Sequence, residues 1–354
     1  MHFTDIDPNL IFGNIGRDSL FWIDRRHAGV EIDGAAEIDS FSRIGDKELP
    51  LLPQNIQWTA TCTPGVRMRF CTDSDYIALK AVIRYTDDLS HMPRSGSGGF
   101  DLYAGETGQI PQFRKVFMPE AGRPEVSGEI AFQDRRRREI LIHFPLYNGV
   151  AEIAIGLPPD ALILAPEPFL YRYPVVFYGS SITQGGCASR PGNAYPAIVC
   201  RELRADMVNL GFSGNAKGEP EMARCIASMP MTAFVMDYDY NADSAEDLRR
   251  THEPFFRIVR ERHPDLPILL ISKPNVDFDR EESDRRRAVI LDTYRRAKNR
   301  GDRRVYFIDG ADLFGKNNRD GCTVDGCHPN DLGFWRMAQT VLPVLRQALE
   351  EAGL

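Results

Sequence analysis

The second half of the chain alternates short, continuous apolar runs with helical segments, and this alternation restricts the fold more than any other sequence feature. The β-prone runs lie at residues 175–178, 207–210, 233–236, 268–271 and 305–308. The helical segments lie near residues 193–204, 219–229, 244–264, 281–300 and 331–350. Strands that are apolar along their whole length and separated by helices form parallel sheets covered on both faces. We therefore predict a doubly wound α/β domain.

The first half has a different pattern, in which short and partly alternating runs are separated by polar turns. The candidate strands are residues 66–71, 76–85, 100–104, 139–146 and 150–157. No segment of convincing helical periodicity precedes about residue 165. Short strands separated by turns predict an all-β domain, either a sandwich or a jelly roll.

A proline-bearing stretch, residues 156–174, separates the two patterns. Its prolines disfavour regular structure, and the apolar residues between them predict that it lies against the second domain. We interpret this stretch as the connection between domains. The predicted domains are residues 1–165, the β-sandwich or jelly roll, and residues 166–354, the α/β domain.

Charge and cysteine content limit the classes of function. The formal net charge is −7, which argues against nucleic acid or an anionic membrane as the main partner, because both bind basic surfaces. The sequence has no export signal at its start and no apolar run of about 20 residues. Seven cysteines, an odd number, favour free thiols, so we expect a cytoplasmic protein.

Cys322 and Cys327 flank a polar loop near the C-terminus and have three interpretations. They form a disulfide, bind a metal, or pack as free thiols. We expect free thiols and no metal, since no second pair of cysteine or histidine residues stands at zinc-finger spacing.

In a doubly wound sheet, ligands bind beyond the carboxyl ends of the strands, so the residues that follow each strand are informative. The sequence GSSITQG at residues 179–185 follows the first strand. A serine in a tight strand-to-helix turn meets backbone N–H groups and the positive end of a helix dipole. This environment suits a nucleophile whose attack generates an oxyanion. The alternative is a serine-rich turn that only caps the helix.

Two further segments supply neutral hydrogen-bond donors. NLGFSGN at residues 209–215 follows the second strand, and a glycine there lets a backbone N–H approach a carbonyl oxygen. Asn241 follows the third strand, and its side-chain amide is another donor. Glycine-rich turns after strands are common, and loop asparagines often stabilise their own turn, so both segments also have a purely structural interpretation.

The segment DGCHPNDLG at residues 325–333 is the most informative. Asp325 and His328 stand three residues apart in a short loop ahead of the last helix. In this spacing the carboxylate can orient one ring nitrogen while the other takes a proton from a serine. The alternative is that both are ordinary polar loop residues.

These four segments, in this order, resemble the sequence blocks of the SGNH, or GDSL-like, hydrolase superfamily. The resemblance covers about residues 174–350, half of the chain. It implies that Ser181 is the nucleophile and that Asp325 and His328 complete a catalytic triad. It also implies an oxyanion hole formed by the backbone N–H groups of Ser181 and Gly214 and the Asn241 amide.

The resemblance further implies a flavodoxin-like sheet, a serine esterase activity and no metal or organic cofactor. Many members of the superfamily resemble carbohydrate O-acetyl esterases, and some carry a β-sandwich ahead of the hydrolase domain. Two positions depart from the family pattern. Ser180 replaces the usual aspartate beside the nucleophile, and Tyr240 precedes Asn241 where a glycine is usual.

The expected substrate is a small-molecule or oligosaccharide ester with a short, acetyl-like acyl group. Tyr178, Tyr238 and Tyr240 are candidate substrate-binding residues, with core packing as the alternative for each. Three other functions stay open. The first is a lipid or thioester acylhydrolase, and the second is a non-catalytic glycan-binding protein with a vestigial site. In the third, the sandwich domain serves mainly to form a homo-oligomer.

Overall fold

A computed structural model describes residues 13–354 and divides them into two compact units that interleave along the chain. The sandwich unit contains residues 13–42, 61–168 and 189–192. The α/β unit contains residues 43–60, 169–188 and 193–354. The boundary between residues 165 and 166 stays a prediction about folding domains. Residues 43–60, before this boundary, belong to the α/β unit, and residues 189–192, after it, belong to the sandwich unit.

The sandwich unit consists of two antiparallel sheets. The first has the strand order β1–β9–β4–β7, formed by Phe21–Ile23, Val150–Leu157, Tyr76–Ile83 and Glu125–Ala131. The second has the order β10–β3–β8–β5–β6, formed by Ile163–Leu164, Arg67–Thr72, Arg138–His143, Phe100–Gly105 and Gln112–Phe117. A short strand β2 (Glu31–Asp33) pairs with β3, and a single-turn helix α2 of this unit is Arg94–Ser97. The prediction of an all-β domain in this half is confirmed, and its sheets are antiparallel.

Alternation along the strands gives the two sheets a common core. On β4 the side chains of Leu79 and Ala81 are buried, whereas Lys80 between them is exposed. Phe70 of β3 and Ile142 of β8, in the other sheet, belong to the same cluster of buried residues. Burial of each such side chain stabilises the fold by roughly 1.5–3 kcal/mol.

The proline-bearing stretch differs from its prediction. Ile163 and Leu164 form β10 and pair with Thr72 and Cys71 at the edge of the second sandwich sheet. Ile163 also packs against the sandwich core. This part of the stretch therefore belongs to the sandwich unit, because its backbone extends a sandwich sheet and Ile163 packs on that core, and the prediction that it lies against the second domain is wrong here.

The α/β unit has a five-stranded sheet in which every neighbouring pair is parallel. Its strand order is β12–β11–β13–β14–β15, formed by Met207–Gly211, Val175–Gly179, Ala233–Asp237, Ile268–Ile271 and Val305–Ile308. Its first helix is α1 (Gln54–Thr59). The other helices, α3 to α8 in chain order, are Ser181–Gln184, Tyr195–Leu203, Pro220–Ser228, Ala245–Arg262, Arg280–Asn299 and Asp331–Glu351. The order 2-1-3-4-5 is flavodoxin-like and confirms the predicted doubly wound domain. The winding direction changes at β11, which places a crevice at the carboxyl ends of β11, β12 and β13.

Residues 43–60 form part of the α/β unit, although they precede most of the sandwich strands in sequence. Ile44, Ile56 and Ala60 are fully buried in the same cluster as Val176 of β11 and Leu210 of β12. A cut at residue 165 would therefore remove part of the core of the α/β unit. No helix among residues 13–354 is both long enough and apolar enough to cross a membrane.

Candidate functional site

The candidate nucleophile lies in the turn that joins β11 to α3. The Ser180 side chain caps α3 by accepting a hydrogen bond from the Ile182 N–H at 3.2 Å. Ser181 is the first residue of α3 and is 7% exposed. Gly185 ends this single helical turn in a left-handed conformation with φ of 109°. The departure at Ser180 thus provides a helix cap.

Two glycines let α3 lie directly on the strand ends. A Cβ atom at Gly179, the last residue of β11, would lie 2.0 Å from Thr183 Oγ1. A Cβ at Gly211, the last residue of β12, would lie 2.2 Å from the Gln184 backbone nitrogen. Neither contact is sterically allowed, so any side chain at these positions would displace the turn that carries Ser181.

A loop at residues 322–330 brings the candidate base to the serine. His328 Nε2 lies 2.9 Å from Ser181 Oγ, and His328 Nδ1 lies 2.8 Å from Asp325 Oδ2. The other Asp325 oxygen accepts hydrogen bonds from the backbone N–H groups of Cys327 at 3.0 Å and His328 at 2.7 Å. The Asn330 side chain caps α8 at the Gly333 N–H, which anchors the loop to that helix. Serine, imidazole and carboxylate thus form one continuous hydrogen-bonded series.

The surroundings of Asp325 keep its carboxyl group ionised. Partial burial raises its pKa, but the hydrogen bonds with the His328 side chain and the two backbone N–H donors lower the pKa by more than burial raises it. The net result is a pKa of about 2. An ionised carboxylate holds the proton of His328 on Nδ1 and leaves Nε2 able to accept the serine proton.

The proposed oxyanion donors Gly214 and Asn241 lie on loops that contact each other. The Asn241 side-chain amide donates to the Phe212 carbonyl oxygen at 2.9 Å, and its second N–H is available to a ligand. Gly214 has a φ of +69° and no heavy atom within 4 Å of a Cβ built on it. Among the described residues, no acceptor is hydrogen-bonded to the Gly214 N–H. Ser213 N–H donates to Gln184 Oε1 at 2.9 Å, which ties this loop to α3.

The three candidate substrate-binding tyrosines have different environments. Tyr178 is fully buried, donates to Glu219 at 2.6 Å, and stacks on Phe255 with ring centroids 4.7 Å apart. Tyr238 is 1% exposed in the same core. Their burial contradicts the prediction that they contact substrate, because both rings fill the space between sheet and helix. Tyr240 is partly exposed and hydrogen-bonds the Cys327 side chain, so it stays a candidate.

Cys322 and Cys327 carry free thiols, the first buried and the second partly exposed. Burial raises the pKa of Cys327, and the Asp325 carboxylate raises it further, against the lowering effect of the hydrogen bond with Tyr240. Cys327 is therefore a protonated packing group within the loop at residues 322–330. The interpretation that the site needs no cofactor stays a prediction.

A buried carboxyl group beneath the nucleophile turn escaped sequence analysis. Asp237 Oδ2 accepts hydrogen bonds from Thr183 Oγ1 at 3.0 Å and Tyr195 Oη at 2.8 Å. Thr183 lies on α3 and Tyr195 begins α4, so this carboxyl group joins two helices to the end of β13. The available signal was an aspartate that ends an otherwise apolar strand.

Asp237 makes folding stability depend on pH. Burial raises its pKa to about 7, although the hydrogen bonds from Tyr195 and Thr183 lower it. The unfolded chain loses this proton near pH 4, so the native state binds more protons between about pH 4 and pH 7. The Asp237 contribution to stability therefore declines as pH rises through that window, by at most about 1.4 kcal/mol per pH unit.

We expect Asp237→Asn to flatten the pH dependence of the unfolding free energy between pH 4 and pH 7. An amide oxygen still accepts from Thr183 and Tyr195, but it carries no titratable proton. Urea unfolding at one-unit pH intervals measures the slope, with Asp265→Asn on the surface as the matched control. Equal slopes in wild type and Asp237→Asn would contradict the buried titration.

A second feature missed by the sequence analysis lies in the sandwich unit. Asp101 of β5 is fully buried and its Oδ2 accepts from Arg190 Nη1 and the Gly192 N–H, each at 2.9 Å. Arg190 also contacts Tyr103 and lies over the Phe113 ring at 3.9 Å. These contacts fix residues 189–192, which follow the nucleophile turn in sequence.

Two family models match the chain. One, described as the GDSL-like lipase/acylhydrolase family, matches residues 172–346. The other, GxDLY, the N-terminus of SGNH-hydrolase-type esterases, matches residues 20–163, where the sequence GFDLY occupies residues 99–103. Asp101 and Tyr103, which contact Arg190 in residues 189–192, belong to this motif. No curated protein sequence matches the chain significantly.

Solved structures resemble the chain over nearly its whole length. A GDSL-like lipase homologue from Bacteroides ovatus is 30% identical with a TM-score of 0.82, covering 94% of this chain and 98% of its own. A salicylyl-acyltransferase from a tetracycline biosynthetic pathway is 18% identical with a TM-score of 0.77, and the match covers 95% of this chain and 98% of the acyltransferase. An acetyl xylan esterase from the rumen bacterium Butyrivibrio proteoclasticus is 12% identical with a TM-score of 0.58, covering 94% and 99%. The last two share the fold.

Proposed function

The chain belongs to the GDSL-like lipase/acylhydrolase family, and on that premise we propose that it is a serine esterase that removes short acyl groups from carbohydrate esters. Ser181 is the proposed nucleophile, His328 the general base and Asp325 the residue that orients it. The observation that carries the proposal is the hydrogen-bonded series from Ser181 Oγ through the imidazole to the Asp325 carboxylate.

The first half of the reaction forms an acyl-enzyme. Ser181 Oγ attacks the ester carbonyl carbon while His328 Nε2 takes the serine proton. The carbonyl π electrons move to the oxygen, and the resulting oxyanion accepts hydrogen bonds from the N–H groups of Ser181 and Gly214 and the Asn241 amide. Each such donor is worth on the order of 10²–10³ in rate. Collapse breaks the bond to the alkoxy oxygen, which departs with the proton from His328.

The second half repeats these steps with water. His328 takes a proton from a water molecule as its oxygen attacks the acyl-enzyme carbonyl. Collapse of the second tetrahedral species breaks the bond to Ser181 Oγ, which regains its proton from His328. The products are a carboxylic acid and regenerated enzyme, so atoms and charge balance without any other reactant.

Two observations support a short acyl group on a sugar. The fold is shared with an acetyl xylan esterase over 94% of this chain. Tyr240 and Lys273 lie beside the His328 loop, with the Lys273 ammonium 5.1 Å from the Tyr240 ring centroid, and offer an aromatic face and a hydrogen-bond donor. Sugars bind to such combinations of a ring face and polar donors.

The experiment is an acyl-chain series on p-nitrophenyl esters, run beside acetate release from acetylated xylan and manno-oligosaccharides. We expect kcat/KM to be highest for acetyl and to fall steeply by octanoyl, with acetate released from at least one saccharide. A preference for octanoyl or longer chains would instead identify a lipid or thioester acylhydrolase. A fluorophosphonate probe that fails to label Ser181 would identify a vestigial site.

A further inference from the structure

A buried arginine from the first half of the chain contacts the loop that carries the proposed oxyanion donor Gly214. Arg43 belongs to the α/β unit and has a fully buried side chain. Its Nη1 donates to the carbonyl oxygens of Asn209 at 2.7 Å and Gly211 at 2.8 Å, and its Nη2 donates to the Thr59 carbonyl at 2.6 Å. These two β12 carbonyls lie where the strand ends and the Gly214 loop begins.

The Arg43 guanidinium also packs over the aromatic ring of Phe212, in the loop that carries Gly214. Its carbon atom lies 4.6 Å from the centroid of Phe212, which is fully buried. The Phe212 carbonyl is the acceptor for the Asn241 amide and for the backbone N–H groups of Asn215 and Ala216. One side chain therefore contacts both the backbone before Gly214 and Phe212, whose carbonyl holds the Asn241 amide.

An arginine suits this role because its planar fork presents several N–H donors in fixed directions. Hydrogen bonds from a charged donor to buried carbonyls are shorter and stronger than those between neutral groups. Electrostatic stabilisation of an oxyanion depends on donors that are already oriented before the reaction. A small displacement of the loop would therefore lower kcat more than it would weaken substrate binding.

We propose that Arg43 is a positioning residue for the oxyanion hole, acting through the backbone at residues 209–212. This inference rests on the proposed function and adds a residue from outside the segment that matches the hydrolase family model.

The chain contains a matched control for a purely structural effect. Arg260 is also largely buried, and its guanidinium donates to the carbonyl oxygens of His263, Pro264 and Leu266. These carbonyls precede the start of β14, at the end of the sheet opposite the proposed site. Losing Arg260 removes these hydrogen bonds together with its ion pair to Asp302 and its bond to the Arg304 carbonyl, without touching the Gly214 loop.

The experiment compares full-length wild type, Arg43→Ala, Arg43→Lys and Arg260→Ala on p-nitrophenyl acetate, with urea unfolding of each. For Arg43→Ala we expect kcat to fall about 10²-fold with KM changed less than about threefold, the size expected when an oxyanion donor is displaced. Guanidinium at a sub-denaturing concentration should partly restore it. Arg260→Ala should lose stability and keep kcat within about twofold.

Arg43→Lys keeps the charge and provides a test if the alanine variant does not fold, and its kcat should also fall, because one ammonium cannot reach all three carbonyls. Full kcat in both Arg43 variants, or equal losses in the Arg43 and Arg260 variants, would overturn the inference while leaving the esterase intact. A wild-type chain that neither hydrolyses esters nor reacts with fluorophosphonate would overturn the proposed function and this inference together.

Discussion

Replacing Ser181 by alanine will lower kcat/KM for p-nitrophenyl acetate by a factor on the order of 10⁴–10⁶. The substitution removes the proposed nucleophile, whose Oγ lies 2.9 Å from His328 Nε2, so no acyl-enzyme can form. The variant still has the proposed oxyanion donors and still binds and orients the substrate, so its hydrolysis rate stays above that of the uncatalysed reaction in water. Steady-state hydrolysis together with the burst of p-nitrophenol in wild type measures the effect.

The matched control is Ser228→Ala. Ser228 ends α5 and its hydroxyl donates to the Cys225 carbonyl at 2.7 Å, so it is also a helical serine, but it lies outside the proposed site. This variant should keep kcat/KM within about twofold. A Ser181→Ala protein that keeps more than about a tenth of wild-type activity would show that another group is the nucleophile.

Replacing Asp325 by asparagine will lower kcat by about 10³–10⁴-fold, the second largest effect. Oδ1 accepts two backbone N–H bonds, so the amide oxygen of asparagine will occupy that position and turn its NH₂ group toward His328 Nδ1. Nδ1 must then accept a hydrogen bond, which moves the ring proton to Nε2. An Nε2–H cannot take the proton of Ser181, so the histidine is present in the wrong tautomer.

Single-turnover kinetics and the ¹⁵N chemical shifts of His328 measure this effect on rate and tautomer separately. Asp320→Asn, an exposed aspartate in the stretch ahead of the same loop, is the control and should keep full activity. Unchanged kcat in Asp325→Asn, or an Nδ1-protonated ring in that variant, would contradict the orienting role.

The sequence predicted the α/β unit in detail because its signals are local. Residues 268–271 and 305–308 were predicted as strands and have those bounds in the structure. Hydrophobic periodicity and continuous apolar runs depend on neighbours within a few residues, and the composition of each segment carries them. The Asp325–His328 pair is of the same kind, since both residues lie in one loop of the chain.

The incorrect predictions share a different cause. Tyr178 and Tyr238 stand beside predicted site residues in sequence, but both are buried in the core, where Tyr178 stacks on Phe255 and Tyr238 on His252. Residues 163–164 were assigned to a connection and instead form a strand of the sandwich unit. In each case the deciding contact is with a residue far away in the chain, and no local pattern reports it.

The sequence by itself thus determined the succession of strands and helices along the chain and the class of sheet, and it indicated Ser181, Asp325 and His328 as candidate site residues. Only the tertiary structure decided that His328 lies against Ser181, 147 residues earlier, and that Arg43 holds carbonyls 166 and 168 residues later. The physical reason is that secondary structure follows from local periodicity, whereas these distances depend on strand order and on the side chains that pack between layers. Glycine at positions 179 and 211 then allows the close approach that completes the site.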